Sequence, residues 1–297
     1  MRINCKGKLI DLSEPKIMGI LNATPDSFYE GSRLKTLDAA LKKAEEMLKF
    51  GADFLDVGGM STSYGVRKAH DTIRDFLDVG GMSTRPDSDE VSEEEELKRV
   101  VLLIEKISRE FPESLISIDT YRSKVAKESV EAGAAIVNDI SAGSLDENMF
   151  KTVAKLQVPY ILMHMQGTPK NMQKNPVYED VVLEINHFFS QKINELYALG
   201  VNDIILDPGF GFGKTVEHNY QLLANLDLIG EGRLPILAGV SRKSMIYNVL
   251  NISPSESLNG TTVVNTLALQ KGAAILRVHD VKEAKEVTQL WLSFIAI

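Results

Sequence analysis

Eight short apolar runs along this chain each end in a side chain that can bind a ligand or move a proton. In order these are Asn22, Asp56 or Asp78, Asp119, Asn138 with Asp139, His164, Asp207, Ser241 with Lys243, and Arg277 with His279. Lys243, Arg277 and His279 come late in the chain. They form a basic set suited to an anion, since arginine offers a planar fork and histidine can add a donor. Asp119, Asn138 and Asp207 come from the middle. Carboxylates and amides there suit a polar heterocycle with several N–H groups, because a carboxylate can accept two parallel N–H bonds from an aminopyrimidine edge. The plainer reading is that polar residues cap strands, or that Asp119 and Asp207 pair with core Lys or Arg. That reading serves one or two positions well and eight poorly. No His–Cys grouping points to zinc. A side-chain oxygen such as that of Asn22, together with substrate phosphates and water, would suit Mg2+. Ser241 has no evident neighbouring base, so no Ser-His-Asp triad is read.

The elements that must position these groups follow from hydrophobic spacing. Strands are expected at Lys16–Leu21, at one of two Phe-Leu-Asp-Val copies, and at Leu115–Asp119, Ala135–Asn138, Pro159–Met163, Ile204–Asp207, Pro235–Ala238 and Ala273–Val278. Helical patterns separate them. Leu37, Ala40, Leu41, Ala44 and Leu48 share one face of the first, which Gly51-Ala52 stops. Ser92 is a plausible N-cap for a helix to Arg109, with Glu93 to Glu96 in its first turn. Further helices are expected at Arg122–Ala132, Met149–Leu156, Val177–Leu199 and Val281–Phe294. Eight β-then-α units make a single α/β domain, a (β/α)8 TIM barrel spanning 1–297, whose chemistry belongs at the strand C-termini. An open doubly wound sheet is the alternative, but no glycine fingerprint follows the first strand.

The bulk properties agree. The 297 residues are 44% hydrophobic and 25% charged, within the globular range, and the formal charge of −8 comes with no basic tract, so no nucleic-acid partner is expected. Cys5 is the only cysteine, which fits a reducing cytoplasm. The N-terminus has no apolar signal segment, and no run is long enough to span a membrane.

One anomaly stands out. The ten residues from Asp53 to Thr62 recur unchanged from Asp75 to Thr84, 22 positions later. Each copy reads as a strand, a Gly-Gly turn and a hydroxyl pair, in a fold with room for one. Removing residues 63–84 or 53–74 leaves the same chain. If the first copy is the strand, the short helix-to-strand link is kept and the loop at the catalytic face swells. If the second is, the native run into Arg85-Pro86 is kept. The first is favoured, since long insertions in a surface loop cost little closure entropy.

These motifs carry a family likeness. Met18–Phe28, Asp78–Pro86, Ser117–Thr120, Val137–Asp139, Leu162–Gly167, Asp207–Lys214, Gly239–Met245 and Arg277–Asp280, in this order, resemble dihydropteroate synthase over almost the whole chain. The resemblance implies condensation of 6-hydroxymethyl-7,8-dihydropterin pyrophosphate with 4-aminobenzoate, giving 7,8-dihydropteroate and pyrophosphate, by an SN1-like path with Mg2+. It implies that Asp119, Asn138, Asp207 and Lys243 hold the pterin. Asn22, Arg85, Arg277 and His279 would handle the pyrophosphate, with Asn22 on the metal and Lys243, Arg277 and His279 as the catalytic set. Phe28, Thr84, Arg85, Pro86, Phe212, Lys214 and Ser241 would border aminobenzoate. A homodimer through the last helices and inhibition by sulfonamides are further implications. The chain departs from the family pattern only at the repeat. Two other readings stay open: a pterin-binding protein whose turnover the extra segment impairs, and a methyltetrahydrofolate-type methyltransferase, which would share the pterin-holding Asp and Asn but would not need the Arg277/His279 clamp.

Overall fold

The computed structural model describes residues 1–23, 33–59, 91–168, 172 and 175–296, with the side chains of the first helix described from Leu37 onward. Eight parallel strands close into one barrel: β3 (Lys16–Asn22), β4 (Phe54–Gly58), β5 (Leu115–Asp119), β6 (Ile136–Asp139), β7 (Tyr160–Met163), β8 (Ile204–Asp207), β9 (Ile236–Ala238) and β10 (Ala273–Val278). Strand follows strand around the barrel in chain order, and β10 closes it against β3. The helices are α1 (Arg33–Lys49), α2 (Glu93–Glu110), α3 (Ser123–Ala132), α4 (Met149–Leu156), α5 (Val181–Ala198), α6 (Val216–Ala224), α7 (Ser244–Leu250), α8 (Leu258–Gln270) and α9 (Val281–Ile295).

The strand period of two sorts the side chains into two cores. Along β4, Leu55 and Val57 pack outward into the large core beneath the helices, while Phe54 joins an inner cluster with Met18, Ile136, Ile161, Ile205, Leu237 and Ile275. That inner cluster fills one end of the barrel. Polar residues further along the same strands fill the other.

It is the first copy of the repeat that enters the barrel. Phe54 to Gly58 pair in register with Met18 to Asn22 on one side and with Leu115 to Asp119 on the other. Asp53 fastens the strand's entry by accepting from the Ile17 backbone N–H at 2.8 Å. The second copy lies outside the described residues.

One expectation needs adjustment, and one element is new. The helix read from Val177 begins at Val181, because the Asp180 side chain accepts from the N–H groups of Val182 and Leu183 and so caps it there. The N-terminal segment forms an unexpected antiparallel hairpin, β1 (Arg2–Cys5) and β2 (Lys8–Asp11). Its strands are only four residues long, too short to show clear periodicity. Ile3 and Cys5 nevertheless plug the inner cluster, and burial pushes the Cys5 thiol up to about 12. The Ser92 cap is found as read, accepting from the Glu95 N–H. Among the described residues no helix is long and apolar enough to cross a membrane.

Candidate active site

The polar end of the barrel is organised by one guanidinium between two carboxylates. Arg277, near the end of β10, donates from Nε to Asp56 Oδ2 at 2.6 Å and from Nη2 to Asp119 Oδ2 at 2.9 Å. Asn138, on β6, donates from Nδ2 to the same Asp56 oxygen at 3.1 Å. All four side chains are buried. Two carboxylates and one fixed cation leave a net negative charge in a dry interior, which favours an extra proton. Burial accordingly pushes the Asp119 carboxyl up to about 7, against the pull of Arg277 and with the push of Asp56.

The cluster is not self-sufficient. Asp56 Oδ1, Asp119 Oδ1 and Asn138 Oδ1 are buried without a hydrogen-bond partner among the described residues. A buried acceptor left unmet costs on the order of 1–3 kcal/mol. Three of them in one place form a receptor for a ligand rich in N–H groups. Asp207, at the end of β8, is buried alongside; burial raises its pKa, while Lys243, the Gly209 N–H and Arg277 counter that shift. An apolar group consisting of Tyr121, Ile140, Met163, Met172 and Phe212 forms one cluster at the same end. A flat heterocycle would therefore meet acceptors on its edge and apolar surface on its face.

The loop after β8 shapes this end through its glycines. Gly209 has φ +69°, and a Cβ there would lie 1.9 Å from the His164 carbonyl oxygen. Gly213 has φ +62°, and its Cβ would meet the Gln166 carbonyl oxygen at 2.6 Å. Only glycine allows both the left-handed backbone and this approach to the β7 loop. The loop then cradles Lys243, whose Nζ donates to the Phe210 carbonyl and sits 4.6 Å from the Phe212 ring centroid.

Lys214 is turned inward from this loop. Its Nζ donates to the carbonyls of Gly209 (3.0 Å) and Phe212 (3.1 Å) and lies 3.1 Å from His164 Nδ1. Burial pushes the Lys214 ammonium down to about 7 and the His164 ring down to about 2.

Ser241 has a histidine after all: its Oγ lies 3.0 Å from His279 Nδ1 and accepts from the His279 backbone N–H at 3.3 Å. The pair fixes the imidazole just past the end of β10, two residues after Arg277. Arg242, between Ser241 and Lys243, instead locks the β9 loop to the β10 loop through two 2.8 Å bonds to Asp280. Asp139 also faces away from the site, accepting from the Tyr160 hydroxyl at 2.6 Å and from loop N–H groups.

Asn22 ends β3 opposite Gly58, and a Cβ on Gly58 would lie 3.7 Å from Asn22 Oδ1 and 3.6 Å from Asp119 Oδ2. Asn22 and Asp119 thus flank the same corner of the barrel mouth. No group of three or more His, Cys, Asp or Glu able to hold a metal occurs among the described residues. The Asn22 amide oxygen is of the ligand type that Mg2+ accepts, since that ion takes few protein ligands and the rest from phosphate and water. Phe28, Thr84, Arg85 and Pro86 lie outside the described residues.

The structure thus brings together Asn22, Asp119, Asn138, Asp207, Lys243, Arg277, His279, Ser241 and Phe212. It settles Asp56, which the sequence left undecided against Asp78, into the barrel. Lys214, expected to border aminobenzoate, is instead buried and turned towards His164 and the Gly209 and Phe212 carbonyls.

Comparison with known proteins agrees with this fold. The family model described as pterin binding enzyme matches residues 18–74 and 66–279. Each match contains one copy of the repeated string, and the two share residues 66–74 between the copies. Dihydropteroate synthase of Escherichia coli K12 is 43% identical over 292 residues, covering 98% of this chain and 95% of that protein. That of Haemophilus influenzae is 42% identical, covering 98% of each. Among solved structures, Yersinia pestis dihydropteroate synthase with a sulfonamide drug complex superposes with a TM-score of 0.85 at 42% identity, covering 100% of this chain and 99% of that one. The Xanthomonas albilineans enzyme in complex with 7,8-dihydropteroate gives a TM-score of 0.82 at 34% identity, covering 100% of both.

Proposed function

The chain belongs to the dihydropteroate synthase family, and from that premise we propose how its own residues perform the condensation of 6-hydroxymethyl-7,8-dihydropterin pyrophosphate with 4-aminobenzoate. The carrying observation is the set of three unmet buried acceptors around Arg277. Asp119, Asn138 and Asp207 accept from the N–H groups of the pterin, and Lys243 supplies a donor to its carbonyl edge. Arg277 and His279 take the pyrophosphate, with Ser241 holding the histidine ring in place.

Pyrophosphate departs with the electron pair of its C–O bond as Arg277 and His279 absorb the charge. Mg2+ bound at Asn22 would neutralise part of the same charge. The dihydropterin ring stabilises the cationic methylene left behind. The aniline nitrogen of aminobenzoate then forms the new C–N bond and loses its proton to solvent. It is mostly unprotonated near neutral pH, so no strong base is required. Phe212 forms one wall for the aromatic acceptor, while Phe28, Thr84, Arg85 and Pro86 are assigned to the two loops closing over it. Lys214 acts from beneath, bracing the loop that carries Phe212. Exclusion of water protects the cation from hydrolysis.

Three finer assignments go with this reading. Exposed apolar side chains on α7, α8 and α9 (Val249, Leu250, Val263, Leu267, Leu290 and Phe294) support a homodimer through these helices. The single, buried cysteine supports a cytoplasmic setting. The extra residues adjoin a loop assigned to aminobenzoate, which sulfonamides mimic, so they reduce drug binding more than substrate binding. The synthase reading itself is tested by calorimetric titration with the pterin pyrophosphate, followed by turnover with aminobenzoate. Binding with turnover supports it; binding without turnover assigns the chain to an inactive pterin binder.

A further inference from the structure

We propose that Asp56 is a positioning residue for the reaction, holding Arg277 and Asn138 in place from one carboxylate oxygen, and that its twin Asp78 has no share in this role. The proposal rests on the synthase reading and adds a residue to it. Asp56 sits two positions before the end of β4, fully buried, where its strand neighbours are Ile20 on β3 and Ser117 on β5. Its Oδ2 receives two donors that come from elsewhere on the barrel wall: Nε of Arg277 at 2.6 Å and Nδ2 of Asn138 at 3.1 Å.

The chemistry of each donor explains what this achieves. A guanidinium has five N–H groups in a fixed fork. Asp56 occupies the Nε–H and Asp119 one N–H of Nη2, so no bond among the described residues uses Nη1. The fork is thereby held with its remaining edge available to a substrate anion. Asn138 has its amide N–H2 drawn towards Asp56, which presents its Oδ1, unpartnered and buried, to a ligand N–H. One carboxylate thus orients a pyrophosphate donor and a pterin acceptor together. It couples the two halves of the pterin pyrophosphate site without touching aminobenzoate.

The repeat supplies its own control. Asp56 and Asp78 lie in the same ten-residue string, so substitution at either changes the same local sequence. Asp56 is the copy that stands in register between β3 and β5. Asp56→Asn is expected to lower kcat/KM for the pterin pyrophosphate by about 10- to 100-fold, the range for a buried hydrogen bond to a charged group. The KM for aminobenzoate should move less than about twofold, a split that general destabilisation does not produce. Asp78→Asn is expected to match the unaltered chain, and the double variant to match Asp56→Asn. The Arg277 Nε–H resonance in 15N NMR should shift in Asp56→Asn and stay unmoved in Asp78→Asn. This spectroscopic readout does not depend on turnover, so it separates failure of the proposal from failure of the synthase reading. If Asp56→Asn does not fold, Asp56→Glu keeps the charge, displaces it by one methylene and should show the same split. Unchanged kinetics in Asp56→Asn, or a loss in Asp78→Asn comparable with that in Asp56→Asn, would overturn the proposal.

Discussion

Lys214 Nζ lies 3.1 Å from His164 Nδ1, beneath the loop that carries Phe212. Both side chains are buried. The ammonium donates, so the imidazole accepts at Nδ1 and is held neutral. Burial, then the neighbouring Lys214 charge, push the His164 ring down to about 2 from its ordinary 6.5. Between those values the unfolded chain binds a proton that the folded chain does not. Stability is therefore fully present above about 6.5 and falls as the pH is lowered. From pH 7 to pH 5 the loss assigned to this residue is up to about 2 kcal/mol. Urea unfolding at both pH values should show a smaller acid loss in His164→Asn than in the unaltered chain.

Asp119 gives the opposite sign. Burial raises its carboxyl to about 7, so the folded chain holds its proton more firmly than the unfolded chain. That contribution to stability is complete below about 4 and is lost as the pH rises through 7. Function needs the ionised form, which accepts from the pterin. The kcat/KM for the pterin pyrophosphate should climb as the pH approaches 7 from below. Asp119→Asn should be lower by about 10- to 100-fold and lack that climb.

The glycines of the β8 loop differ from ordinary surface glycines in a measurable way. Gly209→Ala places a Cβ against the His164 carbonyl oxygen, whereas Gly200 has a similar φ, +81°, with nothing within 4 Å. Gly200→Ala should cost about 1–2 kcal/mol from backbone strain alone. Gly209→Ala should cost clearly more than that in chemical denaturation, with pterin affinity reduced as Lys243 loses its cradle.

Phe212 carries a second consequence for Lys243, whose ammonium sits over its ring. A cation–π contact of this kind contributes about 0.5–2 kcal/mol. Phe212→Leu keeps apolar volume and removes the aromatic face. It should raise the KM for both substrates by about three- to tenfold.

Deletion of residues 63–84 tests the role of the repeat. The ratio of the sulfonamide inhibition constant to the aminobenzoate KM should fall in the shortened chain. An unchanged ratio removes drug discrimination from the functions of the extra segment.

Much of this was readable in the sequence because strand ends in a barrel are positions of known geometry. Asp119, Asn138, Asp207, Lys243, Arg277 and His279 were identified by standing just after, or at the end of, short apolar runs, and the strands converge them. What was not readable depends on long-range pairing. Asp56 and Asp78 are indistinguishable as sequence, and only register against Ile20 and Ser117 separates them. The inward turn of Lys214 depends on the close approach of two loops, 50 residues apart at the Lys214–His164 contact. The β1–β2 hairpin is held by burial at the barrel floor rather than by any strong local signal.

The most direct test is a paired measurement on the purified full chain with Mg2+, counting pyrophosphate released and 7,8-dihydropteroate formed. The account predicts one dihydropteroate per pyrophosphate, with release much slower when aminobenzoate is omitted. Pyrophosphate release without dihydropteroate, or pterin binding with neither product, would contradict it.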